Sequence, residues 1–558
     1  MPDCRALATA FMLGEMSFQL TRRTFVGATA AFASRPTFAE DAPIATTTLG
    51  KVRGYIQSGV QCFKGIPYGA DTATTRFQPP KKALAWSDVK ECIQWSTRAP
   101  QGNAASASMR PRPNTANPTP RRAGGFRLPP DRGPESEDCL HLNVWTTGLR
   151  DHRKRPVLCY FHGGAYNNGT VNSELYDGVS LARTGEVVVV TVNHRLNSFG
   201  YLYLAELGGP SFSDSGNSGQ LDLILSLEWI RDNIAEFGGD PTRVLIFGQS
   251  GGGAKCATLM AQPKAHNLFH RVVTMSGQQV VGVKTAVATQ RAERVIAGLG
   301  LTRASLNDIL ILPWQKIQQS THLSDYYGPV TDGRSLPRDP FAPDAPALSR
   351  NIPMILGNVH DESRALVGGG DVMALTWEQV VPELAKSPQF FGTMPLTKVV
   401  ARYREIYPNY QPWQVYVAAL TAFRAWPGQR IEAERRAVEP LAKDRTWVYQ
   451  MNWPTPIGNG RLGSPHTLDI PFMFDNTSLA PNMVGNDPTA APLAKLMSQT
   501  LIHFAQTGNP NHSGLPHWPT YDLTKRATMI WDKIPSTVND PRTEERKLAE
   551  QVEYIQPA

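Results

Sequence analysis

Val244-Leu245-Ile246-Phe247-Gly248-Gln249-Ser250-Gly251-Gly252-Gly253-Ala254 runs from a short apolar segment through Gly-x-Ser-x-Gly into a string of small residues. Four apolar residues bounded by glycine suit a strand buried on both faces, and the small residues after Ser250 suit the start of a closely packed helix. A serine carried on so sharp a strand-to-helix turn needs strained backbone angles and close chain approach. The positions two before and two after it, Gly248 and Gly252, must therefore be nearly free of side chain. A helix that starts there points unpaired amides at negative charge developing beside the serine. The stretch sets an expected architecture, strand-turn-helix within an α/β sheet, and an expected chemistry, a serine nucleophile.

The same alternation recurs on either side. Val157-Leu158-Cys159-Tyr160-Phe161, Val187 to Val192 and Pro353-Met354-Ile355-Leu356-Gly357 are further apolar runs bounded by Gly, Pro or charge. Leu221 to Phe237 carries apolar residues at helical spacing and stops at Gly238-Gly239-Asp240-Pro241. Strand, helix, strand is the crossover unit of an α/β sheet. Short β-rich segments such as Ala45 to Ile56 precede it.

Tyr160-Phe161-His162-Gly163-Gly164-Ala165-Tyr166 ends one of these strands in a Gly-rich turn of the kind that presents backbone amides to an oxyanion. A serine hydroxyl is a weak nucleophile until a histidine takes its proton and an acid orients that histidine. In this fold class the chain order is Ser, acid, His. Of the 12 histidines, His466, His503, His512 and His517 lie far enough downstream. His466 sits in Gly463-Ser464-Pro465-His466-Thr467-Leu468-Asp469, a loop entering an apolar segment, where a side chain can be aimed at a cleft. His503 lies in a helix-like run, and His512 and His517 flank Gly and Pro in a turn, settings that suit structure. For the acid, Asp361 and Glu362 both follow a buried strand, and spacing does not choose between them.

Composition bounds the alternatives. The 558 residues are 41% hydrophobic and 19% charged, enough for a large core and unlike a disordered chain or coiled coil. The net charge of +8 resolves into parts: residues 1 to 39 carry +2, residues 101 to 136 carry +4, and the remainder is nearly balanced. Nucleic-acid binding is not required by such a balance. Six cysteines show no Cys-x-x-Cys pair and no His at zinc-like spacing, so no metal is indicated. With no apolar run of about 18 residues, no transmembrane helix is expected.

The amino terminus reads as an export signal. Thr21-Arg22-Arg23-Thr24-Phe25-Val26 places twin arginines before a weakly apolar stretch, and Thr37-Phe38-Ala39 offers a cleavage site ahead of Glu40. Residues 1–39 are expected to be a twin-arginine-type signal peptide, with Met16 an alternative start, and the mature protein to be periplasmic or secreted. Loss of the leader removes Cys4 and leaves five cysteines, so at least one thiol stays free or pairs between chains. Residues 40–558 are expected to form a single domain. Within it, Gln101 to Ser136 is rich in Pro, Ala and Arg without periodic apolar residues and reads as a basic surface loop, disordered in the main.

Taken together, these motifs resemble the type-B carboxylesterases, the large α/β-hydrolases that include bacterial para-nitrobenzyl esterases and animal cholinesterases. Matches run in order through Phe63-Lys64-Gly65-Ile66-Pro67-Tyr68, Ser136-Glu137-Asp138-Cys139-Leu140, the His162 turn, Asn193-His194-Arg195-Leu196, the Ser250 elbow, Asp361-Glu362, His466 and Trp518-Pro519-Thr520-Tyr521, from about Thr46 to Arg546. The resemblance implies an α/β-hydrolase fold with long insertions. It makes Ser250 the nucleophile, His466 the base and then acid, and Glu362 the orienting carboxylate. It places the oxyanion amides on Gly164, Ala165 and Gly251, with Gly163 shaping the turn. The implied activity is hydrolysis of a small-molecule ester through an acyl-enzyme, without a cofactor or metal. Amidase or carbamate hydrolase activity on the same triad is the alternative within enzymes. A non-catalytic binding protein of this fold is disfavoured because every motif residue is intact.

Three departures from the family pattern bear on substrate. Gln249 stands where the family often has Glu, removing a negative charge from the pocket and weakening the attraction for cationic choline esters. Cys139 is present, but the position of its usual disulfide partner falls near Ala99, with Cys92 seven residues earlier. The 101–136 segment is longer and more basic than the corresponding rim loop, which favours neutral or anionic esters. The sequence is silent on oligomeric state.

Overall fold

Arg155–Phe161 reads Arg-Pro-Val-Leu-Cys-Tyr-Phe, and all seven residues are buried. A strand so apolar must be covered on both faces, and the architecture grows from that need. The computed structural model describes residues 42–101, 125–322, 325–367 and 370–557. The proposed leader and most of the basic segment lie outside the described residues.

In chain order the strands are β1 (Ile44–Thr47), β2 (Gly50–Arg53), β3 (Tyr55–Gln57), β4 (Val60–Pro67), β5 (Lys90–Glu91), β6 (His141–Thr146), β7 (Arg155–Phe161), β8 (Val188–Val192), β9 (Gly239–Gln249), β10 (Arg271–Met275), β11 (Met354–Val359), β12 (Thr446–Met451), β13 (Ala527–Trp531) and β14 (Ser536–Asn539). β1, β2 and β5 make a small separate sheet. The other strands form an 11-stranded sheet in the order β14-β13-β12-β11-β10-β9-β7-β8-β6-β4-β3. The run from β8 to β13 is parallel. The strands at either side are antiparallel, so the sheet is mixed.

Alternate residues of the central strands feed two cores. Val157, Cys159, Val190, Ile246 and Leu356 face the layer that holds helix Ser218–Asn233. Leu158, Tyr160, Val189, Leu245 and Ile355 face the layer that holds helix Ala490–Thr507. This period of two on both sides is what a sheet sandwiched by helices requires. Between β11 and β12 a cluster of helices, including Trp377–Leu384, Leu396–Ile406 and Pro412–Leu420, packs around its own apolar core.

Two boundaries differ from the sequence reading. The helix read over Leu221 to Phe237 runs Ser218–Asn233 and closes through a 3₁₀ turn, Ile234–Phe237, capped by Gly238 at φ 72°. Gly239 already belongs to β9, because β9 pairs with β7 as far back as Arg155↔Gly239. The basic segment read as one unpacked loop is also packed at its far end. Phe126 is buried, the Arg127 amide donates to the Asn482 carbonyl at 3.2 Å, and that of Arg132 to Asn172 at 2.8 Å.

The site follows from strand order. β8 lies on one side of β7 and β9 on the other, so the order reverses at β7, and ligands of open α/β sheets bind beyond the carboxyl ends of strands at such a switch point. Phe161 pairs with Gly248. That register puts the turn after β7 beside the elbow after β9.

Candidate active site

Ser250 follows β9 and opens helix Gly251–Leu259 with φ 56° and ψ −128°, a region L-residues avoid. Its amide donates to the Met275 carbonyl at 2.7 Å and its carbonyl accepts from Ala254 at 3.1 Å, which fixes the strained residue from both sides. The glycine requirement is steric. A Cβ on Gly248 would stand 2.4 Å from the Gly252 carbonyl carbon, and one on Gly252 would stand 2.0 Å from the Phe161 oxygen.

The turn after β7 lies against this helix. A Cβ on Gly163 would meet that of Ser250 at 3.2 Å, and one on Gly251 would meet the Ala165 oxygen at 2.0 Å. Gly164 has φ 85° and Ala165 φ 52°. The Gly164 carbonyl accepts from the amides of Asn167 at 3.2 Å and Asn168 at 3.1 Å, which closes the turn. Among the described residues nothing accepts a hydrogen bond from the amides of Gly164, Ala165 or Gly251. Three unpaired donors thus sit around Ser250, the arrangement that stabilises a developing oxyanion.

Glu362 and His466 arrive from the ends of β11 and β12. Nδ1 of His466 donates to Glu362 Oε2 at 2.5 Å. The other oxygen, Oε1, accepts from Asn358 Nδ2 at 2.8 Å and from the Val359 amide at 3.0 Å. Burial pushes Glu362 up, but His466 and the hydrogen bonds outweigh it and hold the carboxyl below its ordinary value. Glu362 is an ionised, fully engaged acceptor, and it fixes the tautomer that leaves Nε2 of His466 as a lone pair.

Of the two carboxylates that spacing left open, Glu362 is the one hydrogen-bonded to His466. Asp361 does not touch His466. Its Oδ2 accepts from the Ser464 amide at 2.9 Å, and it bridges to Pro465, so it holds the loop on which His466 stands. The other histidines lie elsewhere: His512 Nε2 is 2.9 Å from the Thr500 hydroxyl, and the rings of His503 and His512 neighbour each other 5.7 Å apart.

Gln249 was placed at the pocket from the sequence, whereas Asp469 and Lys255 were not identified from it. The Gln249 amide donates to Nε2 of His466 at 3.3 Å, and among the described residues Ser250 Oγ has no hydrogen-bond partner. This contact occupies the ring nitrogen that a proton acceptor at this position would use. Asp469, three residues after His466, is buried, which pushes it up to about 7 against the pull of the Tyr449 hydroxyl 2.8 Å away. Lys255 is fully buried in the elbow helix. Its visible signal was a single charge in a run of small residues.

All five cysteines among the described residues are free and buried, Cys92 and Cys139 included. Among those residues no group of three or more His, Cys, Asp or Glu is placed to hold a metal ion, and no helix is long and apolar enough to cross a membrane.

A serine at a strand-helix elbow, a histidine bonded to a buried glutamate, and unpaired amides at a switch point of a parallel sheet define a serine hydrolase of the α/β-hydrolase class. The profile of the carboxylesterase family matches residues 41–549, and the chain belongs to that family. It is 30% identical over 521 residues to the para-nitrobenzyl esterase of Bacillus subtilis (strain 168), covering 90% of this chain and 98% of the relative. It is 30% identical over 512 residues to the phenmedipham hydrolase of Pseudarthrobacter oxydans, covering 88% and 94%. Among solved structures it is similar to the Geobacillus stearothermophilus carboxylesterase EST55, with TM-score 0.75, 30% identity, and coverage of 90% of this chain and 99% of that one. The chain is accordingly an ester hydrolase.

Proposed function

We propose that Ser250, His466 and Glu362 carry the reaction, with the amides of Gly164, Ala165 and Gly251 as the oxyanion hole. Ser250 Oγ attacks the ester carbonyl while its proton passes to Nε2 of His466, and the carbonyl oxygen becomes an oxyanion facing the three amides. His466 then protonates the leaving alkoxide, and the alcohol departs from the acyl-enzyme. Water, deprotonated by His466, attacks the acyl carbon, and the proton returns to Ser250 as the acid leaves. The observation that carries this reading is the 2.5 Å Glu362–His466 bond beside a serine flanked by unpaired amides. Stoichiometric labelling by a fluorophosphonate, abolished in Ser250→Ala, is the expected result. Absence of labelling of the folded protein rejects the assignment.

The substrates we infer are small to medium neutral or anionic esters. Gln249 contributes an amide and no negative charge beside His466, and the 101–136 segment adds +4 to the chain. Deleting Met109 to Arg127 is expected to lower selectivity for acidic over neutral esters, and unchanged selectivity overturns the role of the segment. A panel of para-nitrophenyl esters with an anilide and a carbamate separates esterase from amidase or carbamate hydrolase activity.

The proposed location is outside the cytoplasm through the twin-arginine route, supported by Arg22-Arg23 and the small residues before Glu40. Replacing both arginines by Lys is expected to retain the activity in the cytoplasmic fraction. Unchanged export counts against the signal.

A further inference from the structure

The elbow helix holds a charged group that the reaction above does not use. Lys255, five residues after Ser250, is 0% exposed. Its ammonium donates to the His162 carbonyl at 2.9 Å, on the residue that joins β7 to the oxyanion turn. The face of the Tyr166 ring lies 5.5 Å away, and no carboxylate among the described residues pairs with the ammonium. The rings of His162 and His194 stack beside it, 4.8 Å apart at 14°. Each ring has Nδ1 against a neighbouring carbonyl, Gly163 or Arg195, at 2.8 Å, and each Nε2 lacks a partner among the described residues. A methionine fills the same volume without the penalty of burying a charge. A cation kept here without a counter-charge therefore points to what it touches.

We propose that Lys255 is a positioning residue of the oxyanion hole, its ammonium fixing the His162 carbonyl and with it the peptide planes of Gly163, Gly164 and Ala165. This rests on the reading of Gly164, Ala165 and Gly251 as oxyanion donors. The contact is close: a Cβ on Gly252 would stand 3.0 Å from the same His162 oxygen, so the helix lies directly on this carbonyl. The charge also raises the positive potential where the oxyanion forms.

The groups facing Lys255 define when it acts. Burial pushes Lys255 down to about 7. Burial, reinforced by Lys255 itself, pushes His162 and His194 well below the ordinary histidine value, so both are neutral near pH 7. Burial raises the Cys256 thiol on the same helix and the Tyr166 hydroxyl, which stay protonated. Beyond His194, Arg195 is paired with Asp222 at 2.6 Å. In this cluster Lys255 is the group that changes charge near neutrality. Its folded value is lowered, so the ammonium is present below about 7 and is lost as pH rises through that value.

The test is the ratio of burst-phase acylation rates, wild type to Lys255→Met, with a para-nitrophenyl ester across about pH 6 to 8.5. Any ionisation common to both proteins cancels in the ratio. The expected deficit is about tenfold at the acid end, smaller than the hundredfold or more for loss of a direct donor, and closes to about twofold at the alkaline end, with substrate affinity unchanged. Lys255→Gln, which keeps a donor without the charge, is expected to show the same narrowing, and it carries the comparison if the Met variant does not fold. A ratio near one throughout, or a deficit that does not vary with pH, overturns the proposal. Fluorophosphonate labelling of the wild type separates the two readings: no labelling removes the oxyanion-hole reading itself, whereas normal labelling with a flat ratio removes only the role of Lys255.

Discussion

Asp361→Asn and Glu362→Gln separate two carboxylates that are neighbours in the chain but have different tasks. Asp361 accepts from the Ser464 amide at 2.9 Å and lies 3.2 Å from His360 Nδ1 and 3.6 Å from Arg364 Nε. Burial pushes its carboxyl up, but His360, Arg364 and the Ser464 amide prevail and hold it down to about 2. A carboxylate held nearly two units below its free value contributes roughly 2 kcal/mol of stability at neutral pH. That contribution is complete above the free value near 4 and is lost as pH falls through the folded value near 2. Asp361→Asn is therefore expected to lower Tm by about 1–3 °C in a chain this large, with a deficit that shrinks below about pH 4. Its kcat falls less than about tenfold, because Glu362 still holds His466. Glu362→Gln is expected to do the reverse, lowering kcat by about 10³–10⁴-fold through the lost charged acceptor on Nδ1. Calorimetric or fluorimetric melting over a pH series, with kcat on a para-nitrophenyl ester, reads both. A kcat loss in Asp361→Asn as large as that in Glu362→Gln, with unchanged melting, refutes the division.

Three further outcomes follow from the same contacts. Gly251→Ala places a methyl 2.0 Å from the Ala165 oxygen, so the turn proposed to hold the oxyanion must move and kcat is expected to fall about a hundredfold. The double variant with Ala165→Gly is expected to recover part of it, because glycine relieves the φ of 52° at that position, and kcat measured beside melting temperature checks both. Gln249→Glu restores a negative charge beside His466 and is expected to raise kcat/KM for a choline ester over a neutral isostere about fivefold, measured as a paired ratio. Asp222→Asn leaves Arg195, itself 1% exposed, without its charge partner and is expected to destabilise the fold by about 3–5 kcal/mol, seen as low soluble yield and a lower melting temperature.

What was legible in the sequence is what local sterics dictate. The glycines around Ser250 are required by contacts of 2.0 to 2.4 Å that no side chain tolerates, so their spacing alone announced the elbow. Runs such as β8, buried at all five residues, read as strands without knowledge of their neighbours. β12 was not singled out although all six of its residues are buried, because Thr446 and Gln450 interrupt the apolar run. Thr446 is accommodated by the chain just before it, its hydroxyl accepting from Arg436 Nε at 2.9 Å and donating to the Ala442 carbonyl at 2.9 Å. The early start of β9 was hidden for a similar reason. Gly239-Asp240-Pro241 looks like a turn locally and becomes strand only through pairing with β7. Likewise, Asp361 and Glu362 are adjacent acids at the start of one helix, and what distinguishes them is a loop more than 100 residues away, at |i−j| of 103 for Ser464 and 104 for His466.

The non-local part of the site has one physical theme, the support of strained backbone. Ser250 at φ 56°, Ala165 at φ 52° and Thr467 at φ 81° are non-glycine residues in left-handed backbone, one in each of three loops that carry proposed machinery. Each such residue costs about 1–3 kcal/mol and persists only when its surroundings fix it. Ser250 is fixed by the Met275 carbonyl on the adjacent strand, Ala165 by a turn whose root is tied to Lys255, and Thr467 by a loop tied through Ser464 to Asp361. The anchors are polar groups aimed at backbone atoms, not at substrate, so they leave no motif of their own in the chain. A lysine buried without a counter-ion among the described residues and an aspartate beside Glu362 look incidental in sequence. In the fold, each occupies the position where a strained loop has to be held.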